Sequence, residues 1–225
     1  MMIIIKKKIC YIIGASQDSL DEVIINNNSD NFVIAADGGF DALLKKDVSP
    51  DLLLGDFDSI NKLPKCDNII KFPVEKDYTD TFLAYKEGDK RGYRNFIIYG
   101  GTGGRFDHTL ANIQTLANIS KNGGRGFLVG NGTVITAISD SFIEFSAEMS
   151  GKVGVFAFGD NAFGVDIKGL KYCIKETDIS PYFPLGVSNE FVNKSAKISV
   201  ENGTLIIVWN ETIKQFSKNI DEYLI

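Results

Sequence analysis

In the first half of the chain, short apolar runs repeatedly stop at turns rich in glycine and aspartate, and this rhythm limits the fold more than any other feature. Ile9–Ile13 ends in Gly14-Ala15-Ser16, and Phe32–Ala36 ends in Asp37-Gly38-Gly39. Leu52–Leu54 ends in Gly55-Asp56-Phe57-Asp58, Ile69–Phe72 leads to Asp77-Tyr78-Thr79-Asp80, and Phe96–Tyr99 ends in Gly100-Gly101-Thr102-Gly103-Gly104. Helical apolar spacing appears between these runs, over Phe40–Lys46, over Thr81–Glu87 and at Leu110, Ile113, Leu116 and Ala117. A strand that is apolar throughout, with no polar alternation, has both faces buried, which implies a parallel sheet sandwiched between helices. The first half is therefore expected to be an α/β domain with an open, Rossmann-like parallel sheet.

The rhythm changes at Lys121-Asn122-Gly123-Gly124. Beyond it lie short runs with little helical pattern: Val134–Ile138, Phe142–Phe145, Val153–Phe158, Val165–Ile167, Ile198–Val200 and Leu205–Trp209. Asn202-Gly203 separates the last two, where a type I′ hairpin turn is expected because both central residues need positive φ. The second half reads as an all-β sandwich or barrel. The expected division is 1–124 for the α/β domain and 125–225 for the β domain.

Composition narrows the function. A chain of 225 residues with 24 Lys and Arg against 29 Asp and Glu has a formal net charge of −5, which argues against broad nucleic-acid binding through a basic stripe. Cys10, Cys66 and Cys173 are odd in number and widely spaced, so they show no metal-ligand spacing and read as reduced thiols. Lys6, Lys7 and Lys8 interrupt the apolar N-terminal residues, unlike a signal peptide, and no segment approaches the ~20 apolar residues of a membrane span. A cytoplasmic protein is expected.

Asp37, Asp56, Asp58, Asp77, Asp80 and Asp107 all follow expected strands. In an open parallel sheet, the loops beyond the strand C-termini converge on one crevice. Taken alone, Asp37 and Asp80 read as helix N-caps. Asp56 and Asp58 read differently, because alternation in extended backbone would point both carboxylates the same way, and such a pair is costly unless a cation bridges it.

The run Gly100 to His108 contains four glycines that let backbone N–H groups approach an anion, followed by Arg105 with its planar donor fork. No Lys-Ser/Thr follows, so it is not a P-loop. His108 is the only histidine, which excludes any two-histidine site; at a helix start it reads as a capping or orienting residue. Clustered carboxylates beside an anion loop make chemical sense together if Mg²⁺ bridges a polyphosphate to the carboxylates.

Six segments, in order along the chain, resemble the thiamin pyrophosphokinase family: Ala36-Asp37-Gly38-Gly39, Pro50 to Ser59, Lys76-Asp77-Tyr78-Thr79-Asp80, Gly100 to His108, Gly169-Leu170-Lys171-Tyr172, and Gly186 to Phe191. The resemblance implies ATP and thiamin as substrates, thiamin diphosphate and AMP as products, and a homodimer with active sites between subunits. It implies Asp56, Asp58 and Asp80 as the Mg²⁺ ligands, and Asp107 as the group that orients or deprotonates the thiamin hydroxyl. ATP is expected at Asp37, Gly38, Gly39, Asp77, Thr79, Gly101, Gly104, Arg105 and His108. Thiamin is expected at Asp107, Tyr172, Ser188, Asn189 and Phe191, with Tyr172 or Phe191 stacking on a ring. By their residues alone, Tyr172 and Phe191 also fit a sandwich core, and Ser188-Asn189 a turn. The sequence departs from the family pattern at Lys76, where some relatives carry a neutral amide. The alternatives are a pyrophosphokinase for another heterocyclic alcohol such as a pterin, an aspartyl-phosphate phosphatase or nucleotide-sugar transferase reading Asp56-x-Asp58, and a non-catalytic sensor of thiamin or nucleotide.

Overall fold

A computed structural model of the chain describes residues 7–15, 23–26, 28–57, 66, 68–73, 75 and 77–225. Its first half forms β1 (Ile9–Ile13), β2 (Phe32–Ala36), α1 (Gly39–Leu44), β3 (Leu52–Gly55), β4 (Ile69–Lys71), α2 (Asp80–Lys90), β5 (Asn95–Tyr99), α3 (Phe106–Lys121) and β6 (Arg125–Gly130). The order β4-β3-β2-β1-β5-β6 is parallel throughout. The chain builds outward from β1 to β4, then returns to place β5 on the other side of β1. That reversal makes the topological switch point, and it lies between β1 and β5.

The apolar strands bury both faces, as their composition requires. Tyr11, Ile13, Ala35, Leu53, Ile97 and Tyr99 face one core, while Cys10, Ile12, Ile34, Leu52, Leu54, Phe96 and Ile98 face the other. On the second side α2 and α3 cover the sheet with Ala84, Tyr85, Leu116 and Ile119.

The second half contains β7 (Thr133–Ser139), β8 (Phe142–Phe145), β9 (Lys152–Ala157), β10 (Ala162–Lys168), β11 (Ile174–Ile179), β12 (Gly186–Glu190), β13 (Ala196–Ser199), β14 (Thr204–Asn210) and α4 (Ile213–Tyr223). Among the described residues, β7, β14, β9 and β12 extend the parallel sheet antiparallel beyond β6, giving ten strands in all. The remaining strands form a second sheet, β11-β10-β13-β8. The two antiparallel layers enclose a core with Trp209 and Phe145 at its centre, their rings 5.3 Å apart. The buried Arg125 ties the layers together by donating from Nη2 to the Phe142 carbonyl oxygen at 2.9 Å.

Three local expectations are corrected. Asn202-Gly203 is not a hairpin turn, because β13 pairs with β8 and β10 while β14 pairs with β7 and β9. The reason is burial. β14 hides Leu205, Ile207 and Trp209 on one face and Ile206 on the other, so it needs a central place in the helix-covered sheet. β13 buries only alternate residues and fits the outer layer. The second correction is α4, whose Ile213, Phe216, Ile220 and Tyr223 are buried and whose start is a full capping box between Thr212 and Gln215. The third concerns Asp56-Phe57-Asp58. Strand β3 ends at Gly55, and Phe57 has φ 57° with its ring buried, so the extended alternation expected through these residues is absent. Asp58 itself lies outside the described residues, as does Lys76.

Candidate active site

The loops after β1, β2, β3 and β5 meet at the switch point because their backbones come very close. Gly14 N–H donates to the Tyr99 carbonyl at 2.8 Å, and Asp37 N–H donates to the Leu54 carbonyl at 2.8 Å. A Cβ on Gly14 would lie 2.8 Å from the Gly100 carbonyl oxygen, and one on Gly39 only 1.9 Å from that of Ile13. Glycine at these positions is what lets α1 and the β5 turn approach the end of β1.

A cavity of about 480 Å³ opens there. Of the residues singled out by sequence, Asp37, Asp56, Asp77, Thr79, Asp80, Gly101, Arg105 and His108 line it. Gly38, Gly39, Gly104 and Asp107 do not. The cavity also takes in Gly14, Ala15, Ala36, Tyr78, Thr81, Gly100 and Asn112, which the sequence reading did not assign to a site.

Each wall has a local cause. Thr79 caps α2, its Oγ1 accepting from Phe82 N–H at 3.2 Å. Asp80 is therefore the first helical residue and not the cap. Asp37 does not cap α1 either, since that position belongs to Gly38; Asp37 sits in left-handed backbone at φ 48°. Both residues line the cavity. Gly100, Gly103 and Gly104 have φ of 65°, 79° and 60°, a backbone that side chains would strain. Asn112, on the buried face of α3, donates from Nδ2 to the Gly101 carbonyl at 2.8 Å and pins this turn. A polar residue one turn beyond His108, on a face otherwise occupied by Leu116 and Ile119, was the legible signal for it.

Arg105 and Asp107 form a bidentate pair, with Nη2–Oδ2 at 2.6 Å and Nε–Oδ1 at 3.2 Å. The hydrogen bond from Arg105 holds the Asp107 carboxyl below its usual pKa, which makes it a weak proton acceptor. Among the described residues, no three His, Cys, Asp or Glu side chains already converge as a metal cage. The donor set nonetheless suits Mg²⁺, which takes one or two carboxylates and completes its shell with water and phosphate oxygens.

None of the residues from the second half lines this cavity. Asn189 is buried and accepts from the Tyr172 N–H at 2.9 Å while donating to the Tyr172 carbonyl at 2.7 Å. Phe191 is 8% exposed and packs on Phe145 at 5.2 Å, so it is core. Ser188, at φ 63° beside a register shift in β12, is exposed, and so is the Tyr172 ring.

Comparison with known proteins adds a family. Residues 25–128 match the family model described as thiamin pyrophosphokinase, catalytic domain, and residues 142–205 match thiamin pyrophosphokinase, vitamin B1 binding domain. The chain is 27% identical over 177 residues to thiamin pyrophosphokinase 1 of Caenorhabditis elegans, covering 72% of each chain. It is 24% identical over 209 residues to thiamine pyrophosphokinase of Bacillus subtilis, covering 90% of this chain and 98% of the relative. The crystal structure of thiamine pyrophosphokinase from Bacillus subtilis superposes with a TM-score of 0.78 over 91% of this chain and 99% of that one, at 24% identity. The thiamin pyrophosphokinase from Geobacillus thermodenitrificans gives 0.76 over 90% and 97%, at 23% identity. At these identities the two structures speak for the fold.

Proposed function

The chain belongs to the thiamin pyrophosphokinase family, and from that premise we propose how its own residues transfer the β,γ-pyrophosphoryl group of ATP to the hydroxyl of thiamin. The observation that carries the reading is the single cavity at the switch point, which puts carboxylates, a glycine turn and a guanidinium around one space.

The polyphosphate of ATP lies against the Gly100-Gly101 turn, with Arg105 as its planar donor. Asp56, Asp58 and Asp80, with Asp77 beside them, would hold Mg²⁺, which when bound neutralises charge on the polyphosphate oxygens. The thiamin hydroxyl attacks the β-phosphorus in line. An O–Pβ bond forms, the bridging bond to the α-phosphate breaks, AMP leaves, and the hydroxyl proton goes to solvent or a nearby base. Which phosphorus reacts is decided by which one the bound alcohol faces. Asp107 pairs with Arg105 and serves here to orient it.

In this reading 1–124 binds ATP and metal and 125–225 binds thiamin, with β6 at the start of the latter completing the parallel sheet. Since Tyr172 and Ser188 do not reach the cavity of their own chain, a homodimer that closes each cavity with the partner's β half fits best. An apolar surface of Tyr182, Phe183, Leu185 and Val187, at 92%, 65%, 48% and 50% exposure beside edge strand β12, supports such pairing. No helix among the described residues is long and apolar enough to cross a membrane. The three unpaired cysteines suit a reducing cytoplasm.

The test is incubation of the purified chain with Mg·ATP and thiamin, followed by separation of products. Equal amounts of AMP and thiamin diphosphate, lost on chelation, are expected. ADP with thiamin monophosphate would show attack at the γ-phosphorus, and absence of thiamin-dependent AMP would overturn the activity. For the dimer, Asp80→Asn and Tyr172→Ala chains, each inactive alone, should regain part of their activity when refolded together.

A further inference from the structure

Among the cavity-lining residues, Tyr78 alone presents a large carbocyclic ring. It is 57% exposed, yet not loosely displayed. One face stacks on Phe82, with centroids 5.2 Å apart and planes within 22°. Phe82 meets Tyr85 edge-on at 5.7 Å, and Tyr85 meets Phe96 at 5.2 Å. Tyr85 and Phe96 are each 1% exposed, in the core beneath α2. A chain of four rings thus runs from the core to the cavity wall and fixes the outer ring in place, while Thr79, as cap of α2, fixes the backbone beside it.

The chemistry of the reaction says what meets that ring. Thiamin's hydroxyl is joined to its thiazolium by a two-carbon arm, so when the hydroxyl reaches the β-phosphorus in this cavity, the thiazolium must lie against the cavity wall close by. The adenine sits at the far end of the nucleotide and carries no such constraint. The thiazolium is a permanent cation, and the open face of an aromatic ring is the negative end of its quadrupole.

We propose that Tyr78 is the platform on which the thiazolium ring of thiamin stacks, so that this position selects a cationic heterocyclic alcohol over a neutral one. The assignment rests on the pyrophosphokinase reading and adds to it a specificity residue in the ATP-binding half.

The experiment uses the full chain and its Tyr78→Ala, Tyr78→Leu and Tyr78→Phe variants. Three quantities are read: KM for thiamin, KM for ATP, and the inhibition constant of a neutral thiophene isostere with the same arm and pyrimidine. Tyr78→Ala and Tyr78→Leu should raise KM for thiamin by about 5- to 30-fold, the span of a cation–π contact partly removed from water. Tyr78→Leu keeps Phe82 covered without a π face, so a packing defect in the alanine variant does not blur the result. Tyr78→Phe should recover what alanine loses. The isostere's inhibition constant and KM for ATP should move by less than about threefold. A loss falling equally on thiamin and isostere, a loss falling on ATP, or no loss at all would each overturn the proposal with the activity intact. A wild-type chain that makes no thiamin-dependent AMP would instead overturn the functional reading beneath it.

Discussion

The side-chain amide of Asn112 donates to the carbonyl oxygen of Gly101 at 2.8 Å, joining the second turn of α3 to the glycine turn that leads into it. The turn itself cannot hold its shape through side chains, because glycine has none. Asn112 supplies the missing restraint from a buried position, and by fixing the Gly101 carbonyl it fixes which way the neighbouring N–H groups face.

Asn112→Ala therefore leaves a buried carbonyl without its partner and should cost about 1–3 kcal/mol of stability. The same change should raise KM for ATP more than KM for thiamin. Urea unfolding and steady-state kinetics check both, and faster amide exchange confined to the 100–104 turn would locate the cause.

Asp56→Asn and Asp80→Asn keep volume and remove charge from residues that line the cavity. Each should fold with a near-wild-type melting temperature and lose roughly 100-fold or more in kcat, about 3 kcal/mol of transition-state stabilisation. Near-wild-type turnover in either would remove that residue from the metal site.

Asn189 bonds both the N–H and the carbonyl of Tyr172, holding β12 against the segment before β11. Asn189→Ala should destabilise the chain by about 2 kcal/mol by stranding two backbone groups. Asn189→Asp keeps the acceptor but sets a carboxylate oxygen against the Tyr172 carbonyl, so it should cost at least as much. A rise in KM for thiamin out of proportion to the loss of stability would show that Asn189 contacts thiamin directly.

Glu211 is buried and receives hydrogen bonds from Trp209 Nε1 at 2.7 Å, Asn219 Nδ2 at 2.8 Å and the Tyr223 hydroxyl. Burial raises its pKa above the ordinary 4.5, partly offset by these bonds, with nearby Glu222 adding to the rise. The folded state then holds the proton more tightly than the unfolded one. The group's stabilising contribution is complete below about pH 4.5 and lost as pH rises through the folded pKa. Glu211→Gln, which cannot ionise, should gain stability relative to wild type as pH rises above about 4.5; a difference that stays constant with pH would show that Glu211 does not titrate.

Much of the α/β half was legible in the sequence because its signals are local. Ile9–Ile13 and Phe32–Ala36 are strands with the bounds read from their apolar runs, since a parallel strand buried on both faces must be apolar at every position. The positions of Asp37, Asp56, Asp77 and Asp80 after strands were enough to predict that they converge. Local signals failed where a residue's role depends on a distant partner. Thr79 and not Asp80 caps α2, a choice between neighbours that only the helix start resolves. Phe57 turns back into the core with positive φ, and no dipeptide spacing foretells that. The Thr212-x-x-Gln215 capping box and the Ile213, Phe216, Ile220 spacing did announce α4, but lay beyond a stretch whose alternating rhythm drew attention to strands.

The sequence by itself determined the parallel sheet, the edge on which the carboxylates gather, and the family, because periodicity and turn chemistry act over a few residues. Only the tertiary structure decided that Asn202-Gly203 crosses between sheets, that one sheet runs on from β6 into the β half, that Phe191 and Asn189 are committed to the fold, and that Tyr78 is held open toward the cavity. Those outcomes depend on which surfaces are buried against one another, and burial is a property of the assembled layers that no short window of residues contains.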